Sequence, residues 1–114
     1  MMLKSWAFIY LGSGVEDPAV DRAVIECGGV RTTIVAVPEK SAAVQVARDL
    51  VASGVQAVEL CGAFEAAWVM KVIEATGRRV PVGSVIYELD ILRDREVQSV
   101  HSISCVANAT PRVF

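Results

Sequence analysis

Aromatic residues are scarce in this chain, 6% of its 114 residues, so its core has to be assembled from Val, Ala, Ile and Leu rather than around large rings. Histidine occurs once, as His101, and the three cysteines, Cys27, Cys61 and Cys105, stand far apart. No group of residues has metal-ligand spacing, so neither a zinc site nor any other metal or cofactor is expected. An odd number of thiols with no secretion signal fits reduced intracellular cysteine, each one expected to pack as a small hydrophobe. Neither sign of charge prevails: 11 basic against 13 acidic residues leave a net charge of −2, which gives no electrostatic footprint for nucleic acid. Long apolar runs are missing as well. The stretch from Ser5 to Leu11 is too short to span a bilayer, and no small-residue cleavage site follows it. The expectation is a cytoplasmic protein with neither a nucleic-acid nor a membrane partner.

What the chain does have is aliphatic bulk. Its 54% hydrophobic content is high for a length that suits a single domain, here residues 1–114. So much apolar surface in so small a domain predicts that some of it is covered by another copy of the chain, making a homo-oligomer.

Apolar runs of strand length alternate with stretches of helical period. "WAFIYL", Trp6 to Leu11, predicts the first strand. "DPAVDRAVIECGG" places Val20, Ala23, Val24 and Cys27 on one helical face, with Asp17 as N-cap, Pro18 at the first helical position and Gly28 and Gly29 as the stop. The β-branched "VRTTIVAV", Val30 to Val37, predicts the second strand. Ser41 to Ser53 predicts a helix, Val55 to Cys61 a third strand, Phe64 to Thr76 a helix, and Val80 to Tyr87 a fourth strand. The result is an α/β fold: a small three-layer sheet of about four parallel strands (βαβαβαβ) joined by right-handed crossovers. Beyond it, "VQSVHSISCVA", Val97 to Ala107, predicts a C-terminal edge strand or an arm, and residues 89–114 form a tail suited to oligomer contacts.

The loop "YLGSGVEDP", Tyr10 to Pro18, invites comparison with phosphate-binding turns. It has Gly12 and Gly14, but Asp17 stands where a dinucleotide fingerprint needs its third glycine, and no P-loop lysine follows. Glu16 and Asp17 also bring negative charge to the place a phosphate would occupy. Turn formation and capping are therefore the expected duties, with Ser13 and the glycine backbone as minor ligand contacts.

In parallel sheets, ligands gather at the carboxyl ends of the strands. The residues arriving there are Tyr10, Gly12 and Ser13, then Glu39, Lys40 and Ser41, then Cys61, Gly62 and Glu65, and finally Tyr87 and Glu88. They make a candidate site for a small polar molecule. Just inside it, Glu59 sits between Val58 and Leu60 in a strand expected to be covered on both faces. A carboxylate buried there needs a partner or a raised pKa, which makes Glu59 a candidate general acid or base beside Cys61. The ordinary alternative is a structural tie to an Arg, a Tyr hydroxyl or a helix N-terminus. Cys61 ends a strand ahead of a helix, where thiolate is favoured, though no histidine is at hand to activate it.

"DRAVIE", "GVRTTIVAVP", "AAVQVARDLVASGVQAVELCG" and "VIEATGRRVPVGSVIY" together resemble a small bacterial family known only as domain of unknown function 6506, and similar proteins look like those encoded on mobile gene (integron) cassettes. The resemblance covers Ala7 to Tyr87 and is most specific at "ELCG", Glu59 to Gly62. It implies a small α/β domain and no established reaction. Two departures stand out. Ala63, Phe64 and Glu65 replace further glycines of the family pattern, and the tail after Glu88 matches none of it. Three functions stay open: a metabolite-binding protein using the strand ends, an enzyme using Glu59 and Cys61, and a protein–protein interaction module.

Overall fold

A computed structural model of the chain describes residues 2–86. Seven elements follow in order: β1 (Ser5–Leu11), β2 (Arg22–Cys27), β3 (Val30–Val37), α1 (Lys40–Ala52), β4 (Val58–Leu60), α2 (Ala66–Ala75) and β5 (Val82–Ser84). The five strands form one mixed sheet in the order β2-β3-β1-β4-β5. The neighbours β3, β1, β4 and β5 run parallel, and β2 lies antiparallel to β3 at the edge. Tyr87 and Glu88, the edge strand expected from Val97 to Ala107, His101 and Cys105 lie outside the described residues. No helix among the described residues is long and apolar enough to cross a membrane.

The helix expected between Asp17 and Gly29 is instead the strand β2. Asp17 does start a helical turn, taking the N–H of Ala19 on its side chain at 3.0 Å and the N–H of Asp21 on its carbonyl at 2.7 Å. That single turn ends at Arg22. Helix nucleation is costly, and Val24 and Ile25, being β-branched, gain more by pairing with β3 than by continuing the turn. Gly28 and Gly29 then reverse the chain with φ of 61° and 81°, the two left-handed residues of a type I′ turn. Cys27 and Val30 stand opposite each other on either side of it.

The described residues form two layers where three were expected. Register places Ala7, Ile9, Val35, Val37, Val58 and Leu60 on one face of the sheet, where they form a buried cluster with Ala43, Val46, Ala47, Leu50 and Val51 of α1 and Val72 of α2. Ile9, Val35, Val37, Leu60 and Val72 have no exposed surface, and each such side chain contributes roughly 1.5–3 kcal/mol. The opposite face carries Trp6, Phe8 and Tyr10 of β1, Ile34 of β3, Ile25 of β2 and Glu59 of β4. Phe8 and Tyr10 stack there with ring centroids 6.4 Å apart. Because β3 reaches β4 through α1, β1 ends up central, and the loops after β1, β3 and β4 open at the same edge of the sheet.

Candidate functional site

The loop after β1 does hold an anion, and the anion is its own. Both oxygens of Glu16 turn back onto the loop, accepting from the Ser13 N–H at 2.7 Å, the Ser13 hydroxyl at 2.8 Å, the Gly14 N–H at 2.9 Å and the Val15 N–H at 3.1 Å. Successive backbone N–H groups turned to one side make a concave anion cradle. The hydrogen bonds from the Ser13 and Gly14 amides, followed by the Ser13 hydroxyl, lower the Glu16 pKa to about 2. Gly12 permits the arrangement, since a Cβ at that position would collide with the Glu16 carboxyl group. The repulsion expected between Glu16 and a phosphate becomes outright occupation of the phosphate's place.

Cys61 joins this loop to β4. Its N–H continues the parallel ladder by donating to the Ile9 carbonyl at 3.1 Å, but its own carbonyl accepts from the Phe64 N–H at 3.1 Å as the chain turns toward α2. The Leu11 N–H, which would otherwise meet that carbonyl, donates to Cys61 Sγ at 3.4 Å. The thiol is half-buried and packs against the core.

The first turns of both helices meet at the same edge. Lys40, the first residue of α1, donates from Nζ to Glu65 Oε1 at 2.8 Å, and Glu65 immediately precedes α2. That hydrogen bond holds the Glu65 carboxyl below the usual carboxylate range. Neither Glu39 nor Glu65 caps its own helix with its side chain. Glu39 accepts from the Ser41 hydroxyl at 2.8 Å instead. The positive ends of two helix dipoles and one ammonium thus come together at the carboxyl edge of the sheet.

Gly12, Ser13, Lys40, Cys61, Gly62 and Glu65 therefore share one edge of the sheet, as expected. Glu59 departs from expectation. It lies on the face that no helix of the described residues covers, in register with Phe8 and Gly83, and it is exposed. The burial from which an acid–base role was argued is absent, and among the described residues no helix lies on that side of the sheet. Tyr10 projects onto the same face and is 38% exposed. Residues 26–31 line a shallow hollow of about 350 Å³ at the Gly28–Gly29 turn, at the opposite end of the sheet, and it shares no residue with this edge.

A family model described as a family of unknown function, DUF6506, matches residues 4–101. The chain belongs to that family. The match runs past Tyr87, so the tail as far as residue 101 is part of the DUF6506 pattern and not peculiar to this chain. No curated protein and no solved structure matches the chain.

Proposed function

We propose that this DUF6506 protein binds a small anionic metabolite, bearing a carboxylate or a phosphate, at the carboxyl edge of its sheet. The observation that carries the reading is the Lys40–Glu65 contact, which puts an ammonium where the first turns of α1 and α2 converge. Glu65 answers that positive charge with a largely exposed carboxylate on a rotatable side chain, which a ligand's anionic group can displace. Glu16 contributes differently: by filling the β1 loop it fixes that wall of the site and directs the ligand toward Lys40.

Thermal unfolding of the full chain against a panel of small carboxylates, phosphate esters and neutral analogues tests the proposal. Binding at about 100 times Kd adds about 2.7 kcal/mol of apparent stability, a readily measured rise in the midpoint. Anionic members alone are expected to raise it, and Lys40→Met is expected to abolish the rise while staying folded. A panel in which no anion stabilises the chain, or a Lys40→Met variant that responds like the wild type, rejects the reading.

A further inference from the structure

We infer that β2 is the interface through which two copies of this chain pair, antiparallel about a two-fold axis at Val24, extending the sheet from one protomer into the other. The inference is independent of the anion-binding site. All six residues of β2 are exposed, including Val24 at 45% and Ile25 at 54%. An edge strand of that length carrying Ala, Val and Ile, without the proline, lysine or bulge that commonly blunts such edges, is a template for further pairing.

The backbone fits. The Ala36 N–H donates to the Asp21 carbonyl at 3.0 Å, and the antiparallel register continues from there through Ala23, Ile25 and Cys27, whose polar groups alternate toward β3. Arg22, Val24 and Glu26 consequently direct theirs away from the sheet. A second β2 centred on Val24 offers two bonds between the Val24 residues, and two more, one from each Glu26 N–H to the Arg22 carbonyl of the other copy. The Arg22 N–H itself is taken by the Val20 carbonyl at 2.9 Å and is not needed for these four.

The side chains fit as well, and they select the second copy over other partners. In this register Val24 meets Val24, Ala23 meets Ile25, and Arg22 meets Glu26, twice over. The strand is complementary to itself in both charge and apolarity. Glu26 already pairs with Arg31 of β3 at 3.0 Å, on the same face as Arg22 and Val24. Dimerisation would complete a row from Arg31 through Glu26 to Arg22 of the second copy. On the other face, Ala23 and Ile25 extend the apolar surface of Ile34 and Phe8 across the two-fold axis.

Charge exchange at this strand provides the test, using sedimentation velocity of the full chain. The wild type is expected to dimerise. Arg22→Glu alone and Glu26→Arg alone each set like charges opposite one another and should weaken self-association by roughly tenfold or more. Mixed in equal amounts, the two variants should recover a dimer, because each supplies the charge the other lacks. Val24→Lys, at a position exposed in the protomer, should give a folded monomer by circular dichroism. A wild type that stays monomeric up to millimolar concentration overturns the inference. So do variants that keep the wild-type assembly size, or a mixture that fails to associate.

Discussion

The Leu11 N–H donates to Cys61 Sγ across 3.4 Å, so a thiol fills the rung of the parallel ladder from which the Cys61 carbonyl has turned away to meet Phe64. The bond gives Cys61 a structural duty at the mouth of the candidate site. It also ties the loop that holds Glu16 to the turn that precedes Glu65.

Replacing that thiol separates packing from hydrogen bonding. Cys61→Ala leaves a partly buried N–H without an acceptor and is expected to cost about 1 kcal/mol, the low end for an unmet donor because sulfur accepts weakly. Cys61→Ser restores an acceptor and should recover most of the loss. Urea unfolding of the three proteins checks this. Equal stability throughout would mean that the sulfur contact contributes nothing.

Glu16 is expected to titrate far below the ordinary glutamate range. Its folded pKa of about 2 lies below the reference 4.5, so it binds fewer protons folded than unfolded. Its contribution to stability is therefore complete above the reference value and is lost as pH falls toward about 2. Carboxyl chemical shifts followed by NMR should show this midpoint. Gly12→Ala, by pushing a methyl group into the carboxylate, should move the midpoint back up toward 4.5. An unchanged midpoint in Gly12→Ala would refute the close packing of Gly12 on Glu16.

Most of the parallel framework was legible because β-branched runs such as Val30 to Val37 and the apolar stripe of α1 permit one regular structure each. The β2 segment was not, since the spacing of Val20, Ala23, Val24 and Cys27 satisfies a helix while "RAVIEC" equally satisfies a strand. A Gly-Gly pair both stops helices and turns hairpins, and only pairing with β3 decides between them. The same misreading propagated to Glu59. Among the described residues one helix fewer than expected packs on the sheet, and Glu59, expected to be buried, is exposed. The placement of Gly12, Ser13, Lys40, Cys61 and Glu65 at one edge was legible, because they follow parallel strands whichever element occupies residues 17–27. That Glu16 fills the loop itself depends on side-chain geometry, which spacing alone does not carry.

The Gly28–Gly29 turn decides whether β2 exists as a strand at all, so substitutions there test the fold and the dimer edge together. A Cβ at Gly28 meets open space, so any cost of adding one comes from its φ of 61° and not from crowding. Gly28→Ala should therefore destabilise the chain by about 1 kcal/mol, the penalty of left-handed backbone for an ordinary residue. Gly28→Asn should cost only a few tenths of a kcal/mol or even stabilise, because Asn tolerates that region and Asn-Gly is the favoured type I′ pair. A helix through Arg22 to Cys27 that stopped at Gly28 would need the same left-handed backbone there, with Asn again preferred over Ala, so the ranking reports that backbone. Urea midpoints for the two variants thus test the left-handed backbone at Gly28 by their order, whatever the absolute stability of the chain; equal midpoints would refute it.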